Sequence, residues 1–162
     1  MTKYIIYILV QIAIGVLIGS FIGVLVYHRM NKTYEKIAEE YYRTNVKFGM
    51  LHKWIKLNQK GKKINDFFCK NGYKTIAIYG MGDLGKLLLA EIQDSNINVA
   101  YGIDQNSSLS SSSMPVFSLK DALPSVDAII VSPVYYFDDI KYKLSEKVNC
   151  PIISMYDLFY DA

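Results

Sequence analysis

The segment that most restricts the possible fold is 75–85, with the sequence TIAIYGMGDLG. A short apolar run leads straight into the pattern Gly-x-Gly-x-x-Gly, and the following run from Lys86 to Ile92 has the composition of a helix. Strand, glycine turn and helix in this order are the context in which that pattern binds the phosphates of a nucleotide. The segment therefore predicts the first strand and helix of a parallel α/β sheet.

Each glycine of this pattern has an expected physical role. We expect Gly80 to permit the tight turn, Gly82 to let the backbone approach a pyrophosphate, and Gly85 to allow close packing of helix on strand. Free N–H groups at the helix start favour an anion there, although the carboxylate of Asp83 can itself occupy that position. A second apolar run ends in Asp104, where an acid accepts hydrogen bonds from ribose hydroxyls.

The predicted cofactor site joins this turn to the acid after the second strand and to the serine that ends the fourth. It comprises Gly80, Met81, Gly82, Asp83, Leu84, Gly85, Asp104 and Ser132. The expected ligand is NAD or a nucleotide sugar, and an acid at position 104 disfavours the 2′-phosphate of NADP.

No catalytic or metal-binding residues are predicted. Both histidines, His28 and His52, precede the α/β segment, and no cluster has the spacing of metal ligands. We leave open whether the protein is an enzyme and favour a role without catalysis.

Segment 73–162 alternates strand-like and helix-like runs, which predicts a small Rossmann-like, doubly wound parallel sheet of at most five strands. Predicted strands are Thr75–Tyr79, Val99–Ile103, Ala128–Val131 and Ile152–Ser154, with a short apolar piece at Pro115–Phe117. Predicted helices are Asp83–Ser95 and one near Phe137–Lys147. The serine-rich loop 105–113 borders the expected site, either to close over a ligand or as a flexible insertion.

The run from Tyr4 to Tyr27 carries no charge. As a helix it measures about 36 Å, against roughly 30 Å for the hydrocarbon core of a bilayer. The rival interpretation is a cleaved signal peptide, but its apolar core is shorter, about 7–15 residues. We therefore predict a retained transmembrane anchor over 1–28, then a helical juxtamembrane connector over 29–72 and the nucleotide-binding domain over 73–162.

Charge predicts the orientation of this anchor. Only Lys3 precedes the span, whereas Lys and Arg recur directly after it, at positions 29, 32, 36, 43 and 47. The positive-inside rule then places the C-terminal domain in the cytoplasm, at a membrane that the chain crosses once. Residues 1–72 hold twelve Lys and Arg against four Asp and Glu, and residues 73–162 hold six against eleven. This split indicates a membrane-proximal basic segment and argues against nucleic acid as a partner.

Two patterns predict a homodimer. Gly15, Gly19 and Gly23 recur every four residues, a spacing that lets two membrane helices approach closely. Beyond the span, an apolar seam alternates steps of four and three: Met30, Tyr34, Ile37, Tyr41, Thr44, Phe48, Leu51 and Ile55. The alternative is one amphipathic helix whose stripe packs on the following domain. Lysines around Trp54 indicate either contact with anionic headgroups or a solvated basic face.

Four segments together resemble one protein family: IAIYGMGDLG, YGIDQN, MPVF and VDAIIVS. They are similar to the Rossmann-like domains of bacterial polysaccharide-biosynthesis proteins, including membrane-linked sugar dehydratases, sugar-phosphate transferases and sugar acyltransferases. In that family the glycine turn and the acid after strand two contact a nucleotide, which corresponds here to Gly80, Gly82, Gly85 and Asp104. The catalytic domain that usually follows is expected to be absent.

The resemblance implies a membrane-anchored nucleotide-binding accessory or sensor module, with glycan-biosynthesis proteins as partners. Two alternatives stay open at the level of sequence. One is a membrane scaffold that has kept the fold without the ligand. The other is an oxidoreductase or epimerase subunit whose active site a partner completes.

Overall fold

A computed structural model describes residues 1–105 and 114–159. The chain divides into two compact units, Met1–Asn45 and Val46–Ala162. The α-helices are α1 (Thr2–Gln59), α2 (Ile64–Asn71), α3 (Asp83–Ile92) and α4 (Phe137–Ser145). The strands are β1 (Thr75–Tyr79), β2 (Asn98–Ile103), β3 (Val116–Phe117), β4 (Ala128–Val131) and β5 (Ile152–Ser154), and short 3₁₀ helices cover Val134–Tyr136 and Asp157–Phe159.

The first unit consists of the greater part of α1. Its residues are exposed throughout, and the helix is long and apolar enough to cross a membrane. This is compatible with the predicted single span. The helix continues without a break through residue 28, so the span and the start of the connector form one rod.

The second unit is built on a five-stranded parallel sheet of order β3-β2-β1-β4-β5. The predicted fold class, a long N-terminal helix followed by a small Rossmann-like parallel sheet, is thus confirmed. β1 and β4 are buried on both faces, which explains their uninterrupted apolar sequences. The two strands pair from Ile76 with Ala128 to Tyr79 with Val131.

Alternate residues of β1 supply the two hydrophobic cores of this unit. Ile76 and Ile78 belong to the cluster that includes α2 and α3, whereas Ala77 and Tyr79 belong to the cluster that includes α4. Helices therefore cover both faces of the sheet, the arrangement that buries a parallel sheet completely.

The end of α1 belongs to the first of these cores. Met50, Trp54 and Leu57 are buried there, and the Trp54 ring lies 5.4 Å from that of Phe159. The indole of Trp54 is therefore a core residue, and contact of the surrounding lysines with headgroups stays a prediction. The protein's only tryptophan thus provides a fluorescence probe for unfolding of the second unit.

The loop before β4 is tied to the start of β1 by one carboxylate. The side chain of Asp127 accepts hydrogen bonds from the N–H groups of Lys74 (2.8 Å) and Thr75 (2.7 Å). The bond from Thr75, and then that from Lys74, hold the pKa of Asp127 below its ordinary value. Because the folded pKa is depressed, this stabilisation is present above the unfolded pKa of about 3.9 and is lost as the pH falls through the folded pKa.

We predict that Asp127→Asn reduces the loss of stability on acidification. Asparagine keeps an acceptor oxygen near both amides but does not titrate in this range. Thermal unfolding of the full-length protein in detergent, followed by Trp54 fluorescence between about pH 7 and about pH 3, a range that includes the ordinary pKa of an aspartate, measures the effect. Asp94→Asn, at an exposed acid of the same unit, is the control. Equal acid sensitivity in wild type and Asp127→Asn would contradict the prediction.

Candidate functional site

The glycine turn begins at Gly80, directly after β1. Gly80 has a φ of +87°, a conformation that side-chain-bearing residues rarely adopt. A Cβ here would also lie 2.6 Å from Cδ of Pro133. The Gly80 N–H donates to the carbonyl of Ile103 at 2.8 Å, which joins the turn to the end of β2. The expected role of Gly80 in a tight turn is therefore visible in the backbone.

The other two glycines differ sharply in the space around them. A Cβ on Gly85 would collide with the carbonyl oxygen of Gly80, so α3 packs on the turn more closely than any other residue allows. Gly82, the N-cap of α3, has a φ of −72° and nothing within 4 Å of an added Cβ. Gly85 is thus required by the fold, whereas Gly82 leaves open space in front of the helix start.

Ser132 fastens the end of β4 to this turn. Its hydroxyl donates to the carbonyl of Gly80 at 2.6 Å, and its N–H donates to the carbonyl of Tyr79 at 2.9 Å. The residue is only 3% exposed. Ser132 therefore lies beneath the predicted site and shapes the turn, and its contact with a ligand stays a prediction.

Asp104 holds the opposite side of the turn. One of its carboxylate oxygens accepts the N–H of Met81 at 2.8 Å. The Met81 side chain is buried against β2, where a Cβ on Gly102 would lie 2.8 Å from its Cγ. The acid predicted to bind ribose thus also positions the backbone that leads into α3.

A cleft of about 340 Å³ opens beside the turn, at the carboxyl ends of β1, β2 and β4. It is lined by Tyr79, Gly80, Asp104, Gln105, Pro133, Tyr136, Asp139, Ile140 and Lys143. Strands β1 and β4 are the neighbours at which the strand order of this sheet reverses. Ligands of open α/β sheets bind at this kind of switch point.

The structure brings two of the predicted site residues, Gly80 and Asp104, into the lining of the cleft. Met81 and Leu84 direct buried side chains into the core and offer only backbone groups, whereas Asp83 is exposed at the start of α3. The loop residues 106–113, predicted to border the site, lie outside the described residues.

Sequence reasoning missed the contribution of α4 to this cleft. Asp139, Ile140 and Lys143 lie on one face of α4, and Tyr136, directly before the helix, continues the same three- and four-residue steps. That spacing is readable in the sequence, but only the fold shows that this face meets the glycine turn.

The cleft contains charged groups of both signs and a tyrosine whose pKa is raised. Burial raises the pKa of Tyr79, and the nearby negative charge of Asp104 raises it further, against a hydrogen bond with Gln105 that lowers it. Tyr79 therefore stays neutral at physiological pH. Asp139 and Lys143 contribute charges from the α4 side. Among the described residues, no group of three His, Cys, Asp or Glu side chains is placed to hold a metal ion.

Comparison with protein-family models, with curated proteins and with solved structures finds no match to this chain.

Proposed function

We propose that this protein is a membrane-anchored nucleotide-binding module that takes NAD or a nucleotide sugar at the glycine turn. The single observation that carries the proposal is the cleft at the sheet's switch point, which is lined by Asp104 and by Gly80, two residues before the exposed N-cap Gly82. Gly80 and Gly85 are explained by the fold itself, whereas Gly82 is not. A glycine at the N-cap with free space before it suits a phosphate group that approaches the helix start.

The size of the cleft indicates which part of a nucleotide it would hold. Ligand pockets commonly measure about 300–1,000 Å³. At about 340 Å³ the cleft suits a nucleoside, with its phosphates leading out over the glycine turn. The phenol of Tyr79 and the carboxylate of Asp139 supply a donor and an acceptor for such a polar group.

The hydrogen bond from Met81 does not exclude a ribose from Asp104. An ionised carboxylate offers about four lone-pair positions and can accept from several donors at once, of which the Met81 N–H is one. Asp104 would then hold the turn and accept a ribose hydroxyl at the same time.

The proposed location is the cytoplasmic face of a bacterial membrane, and the proposed role is that of an accessory or sensor in surface polysaccharide synthesis. The Lys and Arg residues after the span support the cytoplasmic side. The resemblance of the four sequence segments supports the role in polysaccharide synthesis. Cys69 is exposed on the second unit. Its rapid modification in intact cells by a membrane-impermeant thiol reagent would contradict the cytoplasmic location.

A scaffold without a ligand is the second candidate, favoured by the way the turn satisfies its own polar groups. Asp104 accepts the Met81 N–H, and Ser132 donates to the Gly80 carbonyl. A turn closed in this manner is stable without a nucleotide.

Titration calorimetry on the full-length protein in lipid nanodiscs separates these candidates. NAD, NADP and UDP-sugars are each injected, and we expect NAD or a UDP-sugar to bind with a dissociation constant below about a millimolar, the affinity of a weak complex. At a hundred times its dissociation constant the ligand should stabilise the second unit by about 2.7 kcal/mol, measured through Trp54 fluorescence. If none of the three binds, the scaffold candidate prevails.

A further inference from the structure

The exposed seam of α1 after the membrane span is an apolar surface that the proposed nucleotide site does not explain. Within the first unit it comprises Met30, Tyr34, Ile37, Tyr41 and Thr44. The four apolar members are between 51% and 70% exposed. A row of large apolar side chains at this spacing is unfavourable in water unless another surface covers it.

The second unit shows that its own core uses another face of α1. Met50, Trp54 and Leu57 pack inward, while Phe48 and Ile55, which continue the heptad positions of the seam, are exposed. From Phe48 to Met50 the helix turns by about 200°, so Phe48 points away from this core. Leu51, the next seam position, is partly buried against the core, so the two faces adjoin there. The alternative in which the whole seam packs on the α/β domain therefore does not explain these exposed positions.

We infer that the seam Met30–Thr44 is the contact between two copies of this chain, paired in parallel as a left-handed coiled coil. Alternating steps of three and four keep an apolar row on one side of a supercoiled helix, where it meets an identical row. Because α1 runs unbroken from the span, two copies in one membrane present their seams in parallel and at the same depth. The seam of a second copy is therefore already aligned with this surface, residue for residue.

Polar groups on and beside the seam agree with self-pairing. The hydroxyl of Thr44 donates to the carbonyl of Glu40 at 2.9 Å within the same helix, so it enters an apolar interface already satisfied. Glu40 is the one charged residue among the positions that flank the seam; the others are Asn31, Thr33, Ala38 and Asn45. Two copies therefore bring few like charges together.

The glycine face of the membrane span lies on the same side of α1 as the seam, which agrees with self-pairing. Gly23 precedes Met30 by seven residues, so the two lie within about 20° of each other around the helix. The glycine at position 23, where two helices can approach closely, and the start of the seam therefore lie on the same side of α1. This inference is independent of nucleotide binding.

Disulfide crosslinking of the full-length protein in lipid nanodiscs tests the pairing. In a Cys69→Ser, Cys150→Ala background, single cysteines are introduced as Ile37→Cys and Tyr41→Cys on the seam. Glu39→Cys, about 200° around the helix from position 37, is the matched control. Copper–phenanthroline is the oxidant. We expect a dimeric product in several-fold higher yield from both seam positions than from the control. Equal yields, or the highest yield at position 39, would overturn the proposal.

A charge placed in the seam gives a second measurement. Energy transfer between two differently labelled copies, reconstituted together, should fall several-fold for Ile37→Lys and remain near the wild-type value for Glu39→Lys. Both variants add the same side chain, so a general effect of charge would lower the transfer in both. Transfer that is unchanged by Ile37→Lys would also overturn the proposal.

Discussion

Replacing Gly85 with alanine is expected to lower the free energy of unfolding of the second unit by about 1–2 kcal/mol. The added methyl group would collide with the carbonyl oxygen of Gly80, a backbone atom that cannot move aside as a side chain does. Overpacking of this kind typically costs 1–3 kcal/mol, and the upper part of that range applies here. The better helix propensity of alanine, worth about 1 kcal/mol, offsets only part of the cost.

Gly82→Ser is the matched control, since it adds a larger side chain three residues earlier in the same turn. Space around Gly82 is open, and serine is at least as good as glycine at a helix N-cap. We expect its free energy of unfolding to stay within about 0.5 kcal/mol of wild type. Thermal unfolding in detergent, followed by Trp54 fluorescence, compares the variants. Equal stability of Gly85→Ala and Gly82→Ser would show that the helix does not pack on the turn as described.

The second large effect is on the binding of nucleotide. Gly82→Val is expected to abolish binding of whichever ligand the wild type takes, because a branched side chain fills the space through which a phosphate would approach the helix start. The sheet should stay folded, since the side chain meets nothing within the protein and the φ of −72° suits any residue. Titration calorimetry in nanodiscs measures binding, and Trp54 fluorescence confirms folding.

Ala90→Val is the control for this titration, because it adds the same side chain at an exposed position of α3 away from the cleft. Its affinity should equal that of the wild type. Unchanged affinity in Gly82→Val would show that the glycine turn is not part of the binding site.

Substitutions of Asp104 are expected to weaken nucleotide binding without abolishing it. Asp104→Ala removes a charged acceptor and should weaken binding by about 1.5–3 kcal/mol. Asp104→Asn keeps an oxygen that can accept the Met81 N–H, at 2.8 Å in the wild type, but removes the charge. If only Asp104→Ala weakens binding, the acid acts by positioning the turn. If both variants weaken it, the carboxylate also contacts the ligand.

Much of the local structure could be predicted from the sequence. Strands Thr75–Tyr79 and Ala128–Val131 have the predicted bounds, because strands buried on both faces are uninterrupted apolar runs between polar residues. The two predicted helices end early: α3 at Ile92 instead of Ser95, and α4 at Ser145 instead of Lys147. Their last turns close through three-residue hydrogen bonds, which composition does not reveal.

Residues far apart in the chain were harder to assign. The buried position of Trp54 depends on Phe159, more than a hundred residues later, so a window around the tryptophan shows only its basic neighbours. The α4 side of the cleft was missed for the same reason. Its side chains form part of a site only because the strand order places α4 next to the glycine turn.

The sequence by itself determined the long apolar helix, the parallel α/β class and the glycine turn, because each depends on residues within one or two turns or strands of each other. Only the tertiary structure decided what the residues of that turn do. Gly85 is required by the nearby carbonyl of Gly80, Ser132 is bound beneath the turn, and Asp104 holds Met81. Those contacts join the ends of separate parallel strands, and such long-range pairing is set by packing of the whole sheet.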